Sequence, residues 1–124
     1  MDKIRERRSE RRLLCAELVE LIWRDSSGIE KRRIGNLEDI CTNGICVQLE
    51  TAPEVGTPIR MLYENGELAG VVRYAYYRDE GYFVGVELEA DSRWSAADFI
   101  PEHLLDPEDV LPRGSSLYRN LVTN

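Results

Sequence analysis

Two clusters of residues in this chain have the types and spacing needed to bind a flat, anionic ligand. The first is a run of arginines near the N-terminus, in which Arg8 and Arg12 are four residues apart. Side chains at that spacing lie on one face of a helical turn. Arginine presents a planar fork that pairs with two phosphate oxygens and also stacks on flat rings. Arg7 and Arg11 have the same spacing, so two registers of the arginine pair are open.

The second cluster is residues 39–44, with the sequence Asp-Ile-Cys-Thr-Asn-Gly. A carboxylate such as that of Asp39 accepts hydrogen bonds from two N–H donors, and the Watson–Crick edge of guanine offers two such donors. Cys41 has a small side chain, and Gly44 lets a ligand approach the backbone N–H. Arginines for phosphate, a carboxylate for guanine and a glycine for close approach together predict a guanine-nucleotide site.

Residues for other chemistries are missing or badly placed. The sole histidine, His103, follows Pro101 without the partners of a nucleophilic triad, so we expect no catalytic residue and no enzyme. Cys41 and Cys46 form no CxxC pair, and their odd offset along an extended segment predicts that they point to opposite faces. We therefore expect no metal site and no redox cofactor.

Charge is divided unevenly along the 124 residues. The first twelve carry six basic and three acidic side chains, so a chain of net charge −7 has a body of net charge −10. A polynucleotide needs a basic face on the body, so we expect a small anion as the ligand and no nucleic acid polymer. The chain shows no membrane span and no secretory signal, and its cysteines are odd in number. These features predict a cytoplasmic protein with reduced thiols.

The elements that must position the two clusters are strands separated by short turns. Residues 13–23 fit either an amphipathic helix or a strand, and their β-branched and aromatic end, followed by a turn at residues 25–28, favours a strand. A second strand is expected over residues 29–40, with a bulge at Gly35. Asn65-Gly66 predicts a type I′ hairpin turn later in the chain.

After Gly44 the apolar residues alternate with a period of two, as in half-buried strands. The predicted inner faces are Ile45, Val47 and Leu49; Ile59, Met61 and Tyr63; Leu68, Gly70, Val72, Tyr74 and Tyr76; and Tyr82, Val84, Val86 and Leu88. Six strands at this spacing predict an all-β fold, a six-stranded antiparallel β-barrel. Residues 92–99 predict a C-terminal α-helix from which Trp94 and Phe99 pack on the barrel.

The chain is thus expected to have three parts. They are a flexible basic N-terminal arm (1–12), the barrel with its C-terminal helix (13–105) and a C-terminal tail (106–124). With no output module attached, the protein is expected to act in trans on an unidentified protein partner, and homo-oligomerisation stays open.

The order of these motifs resembles the PilZ domain family, which binds the bacterial second messenger cyclic di-GMP. The family pattern is RxxxR in an N-terminal arm, followed after one hairpin by [D/N]xSxxG. The counterparts are Arg8 with Arg12, and residues 39–44 with Cys41 where the family has serine. Residues 44–47, 70–74 and 85–88 also look like glycine-led strands of the family, with leucine in the last strand where an aromatic residue is common.

The resemblance implies a PilZ-like barrel and cyclic di-GMP as the ligand. Arg8 and Arg12 would bind phosphates and stack on guanine. Arg7 lies just ahead of the motif, and in the family a basic residue there accompanies two stacked ligand molecules rather than one. The implied binding residues are Arg7, Arg8, Arg12, Asp39, Cys41 and Gly44. A thiol is a weaker hydrogen-bonding group than a hydroxyl, so Cys41 is expected to lower affinity around tenfold. The alternative is a PilZ-like barrel that binds no nucleotide and serves protein interaction or oligomerisation.

Overall fold

A computed structural model describes residues 12–107 of the chain. Six β-strands make up most of this region. Their bounds are Leu13–Arg24 (β1), Glu30–Cys41 (β2), Gly44–Leu49 (β3), Pro58–Tyr63 (β4), Gly66–Arg78 (β5) and Gly81–Leu88 (β6). A short 3₁₀ turn, Ala90–Ser92, follows β6. Within residues 12–107 no helix is long and apolar enough to cross a membrane.

Neighbouring strands are all antiparallel, and they close into a barrel in the order β1-β2-β3-β6-β5-β4. The closing contact is between β1 and β4, which pair from Glu20 opposite Leu62 to Trp23 opposite Ile59. Closure leaves no long unpaired sheet edge. The predicted all-β, six-stranded antiparallel barrel is therefore confirmed.

The barrel interior is filled by alternate residues of each strand. In β1 these are Val19, Leu21 and Trp23, all buried, which identifies the ambiguous first segment as a strand. A helix would have brought residues three or four apart to one face instead. The inner faces predicted for β3, β4 and β6 are confirmed, and the side chains that form them are Ile45, Val47, Leu49, Ile59, Met61, Tyr63, Tyr82, Val84, Val86 and Leu88.

Gly35 does not mark a bulge. It pairs in regular register with Val19 on β1. A Cβ atom at Gly35 would lie 2.8 Å from side-chain carbons of both Leu21 and Leu49. The glycine therefore lets two core side chains approach the backbone of β2.

The predicted hairpin between β4 and β5 is present, but its turn is not the predicted one. The two turn residues are Glu64 and Asn65, and Gly66 already belongs to β5. Neither Asn65 nor Gly66 has a positive φ, which a type I′ turn requires at both central residues. Positive φ angles occur in the next hairpin, at Asp79 (54°) and Glu80 (69°).

The predicted α-helix over residues 92–99 is wrong. After the 3₁₀ turn, the only bond of α-helical spacing in this segment runs from the Phe99 N–H to the Ser95 carbonyl, at 3.3 Å, and the Asp98 N–H makes a tighter turn to the same carbonyl at 2.9 Å. Trp94 is buried in the core, and Phe99 stacks on Tyr63 with ring centroids 4.4 Å apart. Residues five apart on a helix point about 140° away from each other. Packing Trp94 and Phe99 on the barrel, as predicted, is therefore incompatible with a regular helix between them.

Residues 102–105 add a short rung beside the start of β1. Leu14 and Leu105 exchange two backbone hydrogen bonds of 2.8 and 2.7 Å. The Ala16 N–H donates to the Glu102 carbonyl at 3.0 Å, and the Glu102 N–H donates to the Glu17 carboxylate at 2.8 Å. Since β4 pairs only with the later part of β1, this segment covers the part that β4 leaves open. We refer to it as the C-terminal rung.

Candidate functional site

Four positions form one row across the outer face of the barrel, which we call the site row. Asp39 on β2 pairs with Cys46 on β3. Cys46 pairs with Gly85 on β6, which in turn pairs with Tyr74 on β5. Directly opposed residues of antiparallel strands share a face, with Cβ atoms about 5 Å apart. The site row therefore brings residues from four strands into one continuous strip.

A second row lies next to the site row, toward the end of the barrel where β2 turns into β3. Cys41 pairs with Gly44 across that turn, and Gly44 pairs with Glu87 on β6. A Cβ atom at Gly44 would lie only 3.0 Å from the carbonyl oxygen of Val86. The glycine therefore lets β3 and the neighbouring strand β6 approach each other closely at this end of the barrel.

A β-bulge turns Asp39 to the outer face. The register of β2 against β3 shifts between Leu37 and Asp39, so Glu38 is the extra residue. Leu37 lies in the core and Asp39 lies outside, although they are two residues apart. Without an extra residue between them, the period of two would have placed both on the same face.

A second bulge overturns the predicted inner face of β5. The register against β6 shifts between Val72 and Tyr74, which makes Arg73 the extra residue. Val72 lies in the core as predicted, but beyond it Ala75 packs inward. Tyr74 and Tyr76 consequently lie on the outer face, where their rings stack with centroids 5.9 Å apart. Bulges are common beside binding sites because they re-aim side chains in this way.

The two rows line a cleft of about 330 Å³. Its lining contains Arg12, Cys41, Asn43, Gly44, Arg73, Tyr74, Gly85, Val86 and Glu87. A Cβ atom at Gly85 would lie 2.0 Å from a carbon of the Tyr74 ring, so the ring lies directly over this glycine. The cleft thus has an aromatic ring, two glycines and two arginines within one small surface.

Arg12 bonds the buried carboxylate at one end of the site row. Its Nη1 donates to Asp39 Oδ1 at 2.5 Å. The Asp39 side chain is 3% exposed, whereas that of Arg12 is 39% exposed. Asp39 therefore lies beneath Arg12 and does not itself line the cleft. In this arrangement its carboxylate is engaged by the guanidinium.

The unequal burial of the pair is reflected in the two pKa values. Burial raises the pKa of Asp39, and the attraction of Arg12 offsets only part of that rise. Burial acts to lower the pKa of Arg12, but the Asp39 carboxylate outweighs it, so this pKa is raised. The carboxylate has lost nearly all of its water, while the guanidinium keeps a share of its own. The desolvation cost of the pair therefore falls mainly on Asp39.

The middle of the site row is held by uncharged groups. Burial and the nearby Asp39 charge raise the pKa of the Cys46 thiol to about 12, against a lowering by its hydrogen bond with Tyr74. Burial, followed by the proximity of Cys46, raises the pKa of Tyr74. Both groups are therefore neutral at physiological pH. The Tyr74 hydroxyl and the Cys46 sulfur orient the ring across β6 rather than supplying a reactive anion.

The structure brings together part of the set predicted from the sequence. Arg12, Cys41 and Gly44 line the cleft, and Asp39 lies beneath Arg12. Arg7 and Arg8, like most of the basic arm, lie outside the described residues, as does the predicted tail beyond residue 107.

Six cleft residues were not predicted to bind the ligand: Asn43, Arg73, Tyr74, Gly85, Val86 and Glu87. All but Asn43 were noted only as parts of strand patterns. The period-two assignment placed Tyr74 inside the barrel, and only the extra residue in β5 reverses this. The adjoining pair Arg73-Tyr74, a cation beside an aromatic ring, was the one signal in the sequence that could have indicated a binding surface.

Cys41 and Cys46 share the outer face, contrary to the prediction that they oppose each other. The chain turns between β2 and β3, so Cys41 is level with Gly44 and Cys46 is two residues further along the same face. Among the described residues, no group of three His, Cys, Asp or Glu side chains could hold a metal ion. The groups that line the cleft are suited to binding an anion with a flat ring system.

A larger cleft of about 500 Å³ lies elsewhere on the barrel, against β1, β4 and β5. Ile22, Pro58 and Ala69 give it an apolar floor, and Arg24 and Arg60 are among its charged residues. Of the residues predicted to bind a ligand, the four that the structure describes, Arg12, Asp39, Cys41 and Gly44, lie outside the lining of this cleft. No family model matches the chain, and no curated protein and no solved structure matches it either.

Proposed function

We propose that the protein is a receptor for cyclic di-GMP, and that the ligand binds in the cleft over the site row. The observation that carries the proposal is the contact between Arg12 and Asp39, 27 residues apart in the sequence. These residues belong to the two separate motifs on which the resemblance to PilZ domains depends. Their contact beside Cys41 and Gly44 supports the idea of a single two-part site.

The Arg12–Asp39 bond has a definite role in this proposal. A ligand phosphate would take over the guanidinium, since charge-assisted, bidentate pairing with phosphate is among the strong hydrogen bonds of arginine. The carboxylate of Asp39 would then be free to accept N–H donors from the guanine edge. Binding would thus exchange one buried ion pair for two contacts with the ligand, which leaves the guanidinium paired with a phosphate and the carboxylate hydrogen-bonded to guanine.

Tyr74 and Cys41 complete the proposed surface. The Tyr74 ring is fixed over Gly85 and offers a flat apolar face, on which nucleobases stack favourably. Cys41 stands where PilZ domains have serine, so one hydroxyl contact to the ligand is replaced by a weaker thiol contact.

Signalling to a protein partner would start at the beginning of β1. Arg12 immediately precedes this strand, and Leu14 is joined to Leu105 of the C-terminal rung. A movement of Arg12 toward the ligand would pull on the same backbone that holds the rung. The partner would then read the altered surface around residues 102–107, in keeping with an effector that acts in trans.

Isothermal titration calorimetry with cyclic di-GMP tests the proposal. We expect binding by the wild type and a loss of at least about tenfold in affinity for Arg12→Ala, because one charged phosphate contact is removed. Arg32→Ala is the matched control, since Arg32 is an exposed arginine paired with Glu30 on β2, away from the cleft. Absence of binding by the wild type at high micromolar ligand, or equal binding by Arg12→Ala, would refute the proposal.

The second candidate function is a protein-interaction or oligomerisation module that binds no nucleotide. Leu18 and Ile34 favour it, because they are 72% and 63% exposed on neighbouring positions of β1 and β2. Light scattering over a range of protein concentrations, with and without cyclic di-GMP, distinguishes the two functions. Self-association that Leu18→Glu abolishes and the ligand leaves unchanged would favour this module.

A further inference from the structure

The cleft has an arginine paired with a carboxylate at each of its two sides. At the β1 side, Arg12 bonds Asp39. At the β5 side, Arg73 Nε donates to Glu87 Oε1 at 2.6 Å. Gly44 and Gly85 lie on the strands between them. A ligand that fills the cleft would therefore meet a guanidinium on either side.

The bulge in β5 is what places Arg73 at the cleft. In a regular strand Arg73 would alternate with Val72 and Tyr74 and could not share a face with Tyr74. Because Arg73 is the extra residue, both it and Tyr74 oppose Gly85, and both line the cleft. A cation and an aromatic ring at consecutive positions are thus presented to the same ligand surface.

The two ion pairs differ in how readily they can be exchanged. Arg73 and Glu87 have side chains that are 57% and 58% exposed. Exposed pairs of this kind contribute little to stability, because water and salt screen them. Glu87 can therefore give up the guanidinium to a phosphate at small cost, and it then becomes a negative charge beside the ligand.

We propose that Arg73 is a second phosphate-binding residue of the cleft, opposite Arg12, and that Glu87 competes with the ligand for it. This inference rests on the proposed function, and it identifies the chemistry of the ligand more closely. Cyclic di-GMP carries two phosphates, and two guanidinium groups on opposite sides of one cleft suit a ligand with two separated anionic groups. A nucleoside monophosphate, with one phosphate group, would engage only one of the two arginines.

Calorimetric titration of two variants with opposite expected effects provides the test. Arg73→Ala should weaken cyclic di-GMP binding about tenfold or more, because a charged hydrogen-bond donor is lost. Glu87→Gln should strengthen binding about threefold, because it removes the competing charge and keeps the shape of the side chain. The dependence of affinity on salt should be smaller for Arg73→Ala than for the wild type.

Arg60 and Glu67 form the matched control pair. They also make an exposed cross-strand ion pair, at 3.3 Å between β4 and β5, and neither lines the cleft. Arg60→Ala and Glu67→Gln should each bind cyclic di-GMP within about twofold of the wild type. GMP serves as the one-phosphate ligand, and its affinity should respond less to Arg73→Ala than that of cyclic di-GMP.

The possible outcomes separate this inference from the proposed function. Binding by Arg73→Ala equal to that of the wild type would overturn the role of Arg73 and leave the receptor function intact. Equal weakening by Arg73→Ala and Glu87→Gln would also overturn it, since that result identifies the pair as a support for β5 and β6. Failure of the wild type to bind would overturn the receptor function, and this inference with it.

Discussion

The ring of Tyr74 packs against Gly85, its partner across β5 and β6, so closely that a Cβ atom there would fall 2.0 Å from a ring carbon. The same side chain reaches past β6 to form a hydrogen bond with Cys46 on β3. One aromatic residue therefore links three strands of the barrel at the middle of the site row. Its position depends on a glycine below it and a bulge beside it.

Gly85→Ala is therefore expected to displace the Tyr74 ring. Inserting a methyl group into a packed position typically costs about 1–3 kcal/mol of the free energy of unfolding. Denaturant unfolding of Gly85→Ala, Tyr74→Ala and the double variant measures the coupling between the two residues. The cost of Gly85→Ala should fall sharply when Tyr74 is already alanine. Equal costs in both backgrounds would show that the two side chains do not compete for the same space.

Asp39→Asn is expected to preserve or raise stability at pH 7. Burial raises the folded-state pKa of Asp39 above its unfolded value, so the folded protein binds this proton more tightly. The ionised carboxylate therefore costs stability above the folded pKa, and this cost disappears as the pH falls below the unfolded value of about 3.9. Any advantage of Asp39→Asn at pH 7 should shrink toward zero at pH values below about 4.

Denaturant unfolding of Asp39→Asn across that pH range provides the measurement, with calorimetry on the same samples. The variant should lose affinity for cyclic di-GMP while keeping its fold, since the amide cannot accept both N–H donors of a guanine edge. A loss of several kcal/mol at pH 7 would contradict the prediction and would identify the Arg12–Asp39 pair as a stabilising one. Preserved or raised stability at pH 7, together with lost affinity, would indicate that the ion pair serves binding rather than stability.

The three cysteines should differ in their reaction with iodoacetamide. Burial and nearby negative charge raise the pKa values of Cys15 and Cys46 to about 12, which leaves roughly a thousandfold less thiolate at pH 7 than an ordinary cysteine has. Peptide mapping by mass spectrometry should therefore find both protected in the native protein and reactive in denaturant. Cyclic di-GMP should slow the labelling of Cys41, which lines the cleft, and should not change that of Cys15. Native labelling of Cys46 at the rate of the unfolded chain would contradict its position in the site row.

Cys41→Ser should strengthen the binding of cyclic di-GMP by up to about tenfold. A hydroxyl forms a better hydrogen bond than a thiol, and one such bond contributes roughly 0.5–1.5 kcal/mol. Cys41→Ala is the control, because it removes the thiol without adding a hydroxyl and should bind no better than the wild type. Equal binding by Cys41→Ser, Cys41→Ala and the wild type would mean that the ligand does not contact this position.

Much of the barrel can be predicted from the sequence, because alternation of apolar residues directly reports a half-buried strand. The inner faces of β3 and β6 follow from that rule without exception. The rule fails in β5, where Arg73 adds one residue and every later side chain changes face. A bulge has no strong sequence signature, so this side of the cleft could not be anticipated. The helix predicted for residues 92–99 failed for a similar reason. Trp94 is buried in the core and its indole N–H donates to the Phe99 carbonyl, and these contacts outweigh the local helical pattern.

The residues of the site also differ in how far they can be predicted from the sequence. Asp39, Cys41 and Gly44 lie in one short segment, so their proximity could be expected from local sequence. The contact of Arg12 with Asp39 joins segments that are far apart, and the sequence suggested it only through the resemblance to a known family. Arg73 and Glu87 depend on strand order and register, which alternation does not determine.

The C-terminal rung gives the described chain a nearly circular course. Arg12 directly precedes β1, and Leu105 pairs with Leu14 near the start of the same strand. The first and last described residues therefore lie on the same side of the barrel. Where the two ends of a folded region are neighbours, circular permutation of that region is commonly tolerated. New ends cut between Glu64 and Asn65 would leave β2, β3, β5 and β6 continuous, and with them every strand of the site row. The order in which the strands are synthesised could then be changed without moving any residue of the cleft.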